Sequence, residues 1–368
     1  MNSHQRIATY SLLLISLLFT ACGNSKESNP DEQMPEMTAC GFGQCKPLPA
    51  GVYESAGLDP VGNAPDVTSL KGVLVRFSWK ACGDDLNCLL EMVQQQLDSA
   101  TTANLKVALM ILDGDEAPDG VKAQCSIFDY LKRGAPASMC LAWDENYLTA
   151  KIAMIEALGL RFDSHPALAY VYFTGACSTN GAEGHCRIDE DAYTTAGYTP
   201  EKLIGAYKTI MSAYRSAFRK TPIAFEAHAI FESAEPWQSL WDQESASGRV
   251  GVASWWCAER LSINGNDTAP VWHLVQEAAE TSFAVCQTVG NFTNQPYRFS
   301  DQSLGLDYGV EDQWNNNDSQ NAFEQTLNWM QGINVHAGQP SVIQRFGVLE
   351  SWSDDIKNPD FQNRLELF

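Results

Sequence analysis

The chain predicts a single α/β domain folded as a (β/α)8 TIM barrel. Three observations carry that expectation. From residue 70 onward, short apolar runs rich in Val, Ile, Phe and Tyr alternate with stretches of helical period. Such alternation yields parallel strands, because each return to the sheet needs a crossover. No Gly-x-Gly-x-x-Gly or P-loop follows any strand, so an open nucleotide-binding sheet loses its support. Finally, Cys257 and Cys286 stand near the C-terminal ends of consecutive strand-like runs, where neighbouring parallel strands can be bridged.

Taken in order, Gly72–Trp79 (GVLVRFSW) is the first strand-like run. Leu86–Ala103 places Leu89, Leu90, Val93 and Leu97 on one helical face. Leu105–Leu112 is a buried strand ending at Asp113. Gly114–Ala142 is rich in turn residues and is the place left for an additional strand. In Glu145–Phe162, Leu148, Ile152, Ile155 and Leu158 form one face of a helix, and Leu168–Thr174 follows as a strand. Thr199-Pro200 marks a helix start, with Thr199 as N-cap and the helix running to about Phe218.

Pro222–Ala227 is a strand, Pro236–Ser245 a helix, Arg249–Trp256 a strand, Pro270–Glu280 a helix and Ser282–Thr288 a strand. The Asn- and Asp-rich segment at about Gly290–Asp318 is too long for an ordinary connection and reads as a functional loop or lid. Ser319–Val335 is a helix, and Arg345–Leu349 is the last strand, ending at Glu350-Ser351-Trp352. Seven strands are thus visible, with 114–142 as the site for an eighth.

The N-terminus has the layout of an export signal. Arg6 precedes the apolar run Tyr10–Phe19, which is too short to span a bilayer, and Thr20-Ala21-Cys22 follows. The ending LLFTAC resembles the lipobox of bacterial lipoproteins, a likeness that implies lipid attachment at Cys22. The expected organisation is a signal peptide over 1–21, a polar tether over 22–50 and the barrel over 51–368. It places the protein in the bacterial cell envelope, exported and lipid-anchored at the outer membrane or cell surface.

The net charge of −21 argues against nucleic acid and anionic headgroups as partners and fits a neutral carbohydrate ligand. Membrane contact is expected only through the anchor. Of 11 cysteines, setting Cys22 aside leaves 11 − 1 = 10, an even set that argues for disulfides in an oxidising compartment. Sequential neighbours suggest Cys40–Cys45, Cys82–Cys88, Cys125–Cys140, Cys177–Cys186 and Cys257–Cys286, although sequence alone leaves the connectivity open. A zinc site on Cys177, His185 and Cys186 competes weakly, since no Cys-x-x-Cys pair occurs. DGDEAPDG at 113–120 is acidic but lacks EF-hand spacing, so no metal or other cofactor is expected.

In a barrel of this kind the site lies at the C-terminal strand ends. Reading those ends gives Arg76, Trp79, Asp113, Asp115, Glu183, Glu226, His228, Trp255, Trp256, Gln287, Glu350 and Trp352. Tryptophan faces stack on sugar rings, and carboxylates carry the acid/base work of glycosidic cleavage. Neither a Gly-x-Ser-x-Gly elbow nor His-Glu-x-x-His is present, which leaves esterase and metalloprotease readings unsupported. Each group also has a structural role open to it. Glu350 could pair with Arg76, Glu226 could be a paired core carboxylate, and Asp113 could be a turn former.

VRFSW at 75–79, Trp143–Tyr147, the Leu158–Pro166 stretch LGLRFDSHP, the Tyr170–Gly175 strand with its Glu183 loop, and VLESW at 348–352 occur in that order. The pattern resembles the barrel domain of clan A glycoside hydrolases, especially β-galactosidase-like members related to family 42. The resemblance implies an acid/base glutamate after the fourth strand, matched by Glu183. It also implies a nucleophilic glutamate at the end of the seventh strand, where this chain has Gln287. A carboxamide cannot ionise. Either Glu350 or Glu226 supplies the second carboxylate, or the pair is spaced for inversion, or the barrel binds glycans without cleaving them. Arg76, Trp79, Asp113, Trp255, Gln287 and Trp352 are the expected substrate-binding set.

Overall fold

A computed structural model describes residues 45–55, 61–175, 186–257, 271–288, 291–294, 323, 327 and 347–366. Eight parallel strands close into a barrel: β1 (Gly51–Glu54), β2 (Leu70–Ser78), β3 (Lys106–Leu112), β6 (Leu168–Phe173), β7 (Ile223–Glu226), β8 (Val250–Cys257), β9 (Ala284–Thr288) and β10 (Val348–Ser351). β10 pairs with β1 and completes the ring. The remaining strands, β4 (Ile127–Lys132) and β5 (Ala135–Cys140), form an antiparallel hairpin outside it.

The expected eighth strand is therefore not in 114–142 but at Gly51–Glu54. Four residues buried on both faces show no period, and the prolines just before them read as tether. The hairpin turns through Arg133-Gly134, both at positive φ (53° and 84°), the geometry of a tight two-residue turn. Because β1 precedes β2, β6 is the fourth barrel strand, β9 the seventh and β10 the eighth.

Helices surround the ring: α1 (Leu86–Thr102), α2 (Asp119–Lys122), α3 (Glu145–Phe162), α4 (Glu190–Thr195), α5 (Pro200–Ala217), α6 (Glu235–Glu244), α7 (Trp272–Thr281), α8 (Ser353–Lys357) and α9 (Pro359–Leu365). Their starts follow from local chemistry. Asp85 accepts from the Asn87 and Cys88 amides, Asp144 from those of Asn146 and Tyr147, and Thr199 from that of Lys202 with Pro200 at the first turn. Of the expected helix over 319–335, Phe323 and Leu327 are described, helical and buried. The expected lid lies outside the described residues except for 291–294.

Strand alternation divides the apolar side chains into two cores. An outer one lies between strands and helices and includes Val73, Val93, Ile155, Leu158 and Phe173. An inner one fills the lumen with Tyr53, Leu74, Met110, Tyr170, Tyr172, Trp255 and Val285. α3 and α5 approach closely at Gly159, where an added Cβ would stand 2.5 Å from the Ala217 carbonyl oxygen. Because backbone cannot yield as a side chain does, Gly159→Ala is expected to cost about 1–3 kcal/mol, read as a lower urea midpoint at unchanged slope.

The Cys82–Cys88 and Cys125–Cys140 disulfides are present. Cys45, Cys186 and Cys286 are also disulfide-bonded. Cys22, Cys40 and Cys177 lie outside the described residues, as does the side chain of Cys257.

Candidate active site

Inward-facing residues at the C-terminal ends of the strands build a polar cluster around Glu350. Its carboxylate is fully buried. Oε1 accepts hydrogen bonds from the Tyr170 and Tyr172 hydroxyls, each at 2.7 Å, and Oε2 accepts from Gln287 Nε2 at 2.8 Å. Register explains the arrangement. Glu350 pairs with Gln287 across β10 and β9, and the i, i+2 spacing of Tyr170 and Tyr172 puts both rings on the lumen side of β6. Gln287 Nε2 also reaches Ser55 Oγ at 2.8 Å.

Arg76 extends from β2 and donates through Nη2 to the Ser55 carbonyl oxygen at 2.9 Å and to its hydroxyl at 3.2 Å. Its guanidinium carbon lies 5.4 Å from the Trp255 ring centroid, within cation–π range. The Trp255 amide donates to Glu226 Oε1 at 3.1 Å, and the same oxygen lies 2.6 Å from His228 Nδ1. Glu226, Trp255, Arg76, Gln287 and Glu350 thus form a continuous arc across β7, β8, β2, β9 and β10.

Burial pushes the Glu350 carboxyl above its ordinary value; the donors Tyr172, Tyr170 and Gln287 and the positive Arg76 act in the opposite direction. Tyr170 and Tyr172 are held far above the usual phenol range, first by burial and then by the Glu350 charge. They act as neutral donors that hold the carboxylate in one orientation. Among the described residues, no group of three or more His, Cys, Asp and Glu side chains is placed to hold a metal ion.

Other expected site residues are placed elsewhere. Arg76 and Ser78 face the lumen, so Trp79, one residue past the strand, faces the helices. There its ring packs on Tyr147 at 6.4 Å and Lys151 Nζ lies 5.2 Å from its centroid. It lines an outer cavity of about 450 Å³ with Asp84, Leu86, Val121 and Met154. Asp113 is fully buried in an ion pair with Lys151 (2.6 Å), accepts from Tyr147 OH (2.8 Å), and caps the turn that follows it. Asp115 pairs with Lys132 of the hairpin at 2.8 Å. Trp352, half-buried, directs Nε1 at the Thr288 carbonyl oxygen from 3.5 Å.

Glu183 lies outside the described residues. Among the described residues, Thr174 and Gly175 follow β6, and Thr174 donates to the Ile111 carbonyl oxygen at 2.7 Å and accepts from Lys151 Nζ at 2.9 Å. Tyr170, Tyr172 and Ser55 are the site residues that motif reading passed over. The two tyrosines left a signal, since aromatic residues two apart in a barrel strand share one face.

No family model matches the chain, and no curated protein does either. Among solved structures, it is similar to endoglucanase Cel5A of Pseudomonas stutzeri, with 15% identity and a TM-score of 0.36 over 66% of this chain and 78% of that one. It is similar to xylanase 10B of Thermotoga maritima, with 8% identity and a TM-score of 0.42 over 83% of each chain. Endo-glycoceramidase II of Rhodococcus sp. gives 11% identity and a TM-score of 0.42 over 85% of this chain and 76% of that one. Identities and TM-scores this low carry no argument about activity. The barrel is established by its own strand order.

Proposed function

We propose that the barrel mouth acts on carbohydrate, cleaving a glycosidic bond by carboxylate acid/base chemistry. The observation that carries this reading is the Glu350 cluster, a buried carboxylate at the C-terminal end of the lumen, oriented by three donors and acted on by the charge of Arg76, which stacks on Trp255. Glu183 gives its proton to the leaving oxygen as the glycosidic C–O bond breaks. Glu350, or alternatively Glu226, either takes a proton from the attacking water or attacks the anomeric carbon itself. Arg76, Gln287 and Trp255 hold the sugar, with Trp352 at the rim. Trp79 and Asp113 act through the scaffold. The family 42 likeness and an envelope location with lipid at Cys22 belong to the same proposal.

Gln287 favours a second reading, glycan binding without cleavage. It puts a carboxamide at the seventh strand end, where the resemblance implies a nucleophile, and that amide is committed to Glu350 and Ser55. A panel of unactivated glycosides separates the two. Turnover by the parent and its loss in Glu183→Gln, with the melting curve unchanged, supports cleavage. Glycan-array binding with no turnover on any glycoside selects the second reading, and full activity in Glu183→Gln removes Glu183 from the mechanism.

A further inference from the structure

The net charge of −21 conceals a basic pole. Lys46, Lys106, Arg219, Lys220 and Arg249 collect at the N-terminal ends of the strands, where helices finish. Helix C-termini favour cations, but that preference does not explain how these are held. Lys46 Nζ donates to the Leu168 carbonyl oxygen at 2.9 Å, and its amide donates to the Lys220 carbonyl oxygen at 3.1 Å. Arg249 donates to the carbonyl oxygens of Lys46 at 2.7 Å and Lys220 at 2.5 Å. Lys106 Nζ donates to the Pro166 carbonyl oxygen at 2.9 Å, and Lys220 Nζ to Ser164 Oγ at 3.0 Å.

Among the described residues, none of the five lies within ion-pair distance of a carboxylate. Of the acids at this end, Glu91 pairs with Arg161 and Glu244 with Arg215, while Asp66 ahead of β2 and Glu280 at the end of α7 are exposed. Asp163 accepts from the Lys220 and Thr221 amides, and its charge reaches both Lys46 and Arg249. Burial and then the like charges of Lys106, Lys220 and Arg249 pull the Lys46 ammonium down to about 8, against Asp163. The pole is a crowd of cations held by carbonyl and hydroxyl oxygens, with the charge of Asp163 offsetting part of it.

We propose that this N-terminal end of the barrel docks on a membrane leaflet bearing anionic phosphate headgroups. The path of the chain favours a membrane over other polyanions. The barrel is entered at this pole through Cys45-Lys46, and the residues ahead of it include the apolar run Tyr10–Phe19 and Cys22. Total charge does not oppose docking. The 18-residue helices α3 and α5 rise about 27 Å, some three screening lengths at physiological salt. Acids at their far ends, such as Asp144, Glu145 and Glu201, are therefore screened from a surface at the basic pole. The proposal holds whether or not the mouth cleaves sugars.

The test uses the full chain carrying Cys22→Ser, which removes lipidation but leaves the leader in both proteins compared. Co-sedimentation is measured on phosphatidylcholine vesicles with and without phosphatidylglycerol, at low and physiological salt. Expected is stronger, salt-sensitive partition onto phosphatidylglycerol. Each surface cation contributes roughly fivefold, so Lys106→Gln/Arg219→Gln/Lys220→Gln lowers it about 100-fold while partition onto phosphatidylcholine is unchanged. Lys106→Gln alone, at an exposed position, gives about fivefold and covers the case in which the triple variant misfolds. Indifference to phosphatidylglycerol, parent-like binding by both variants, release by millimolar inorganic phosphate, or equal retention on duplex DNA would each overturn the proposal.

Discussion

Lys151→Met is expected to destabilise the barrel by about 3–5 kcal/mol, the cost of leaving one buried charge without its partner. Lys151 and Asp113 are both fully buried and 2.6 Å apart, outside the lumen. Lys151 ties the end of β3, through Asp113, to the end of β6, through Thr174. Tyr147 OH and the Gly114 amide satisfy the rest of the aspartate. Methionine matches the volume of the lysine stem but leaves the Asp113 carboxylate facing an apolar neighbour. Adding Asp113→Asn removes that stranded charge, so the double variant should recover more than 1 kcal/mol of the loss, about a fivefold change in the folding equilibrium. Urea denaturation decides it, and a single variant within about 1 kcal/mol of the parent would show the pair to be dispensable.

Glu350→Gln should have opposite effects on activity and stability. The substitution keeps the shape but removes the charge, so a base or nucleophile at this position is lost and turnover falls by at least about 10²-fold. Stability follows from the direction of the carboxyl's displacement. Its folded value is raised above the unfolded one, so the native state binds the proton more tightly. The stability this contributes is complete below the unfolded value and disappears as pH rises through the folded value. The glutamine variant lacks that loss, and its margin over the parent should grow as pH rises from 4 toward 8, tracked by thermal melting across that range. Parallel stability curves for the two proteins would mean that Glu350 is not held as described.

Periodicity made most of the scaffold legible. Seven strands and the helices between them stood out because their apolar faces repeat over many residues. β1 did not, since Gly51–Glu54 is too short to show a period, and the β4–β5 hairpin turns on Arg133-Gly134 without the Asn-Gly pair that usually marks such turns. At the mouth, reading the strand ends found Arg76, Glu226, Trp255, Gln287 and Glu350. It also drew in Trp79 and Asp113, which strand alternation and a buried lysine direct toward the helices. Nothing local marks Lys151 as the partner of Asp113, 38 residues away in sequence, and a net charge cannot show that opposite poles differ in sign.

The proposed chemistry has the carboxylates of the mouth acting on a glycoside. Its most direct test is product release from a panel of unactivated glycosides by the parent, Glu183→Gln and Glu350→Gln, each verified as folded by its melting curve. Turnover by the parent and at least a 10²-fold loss in both variants are expected. Equal product release by all three proteins would contradict it.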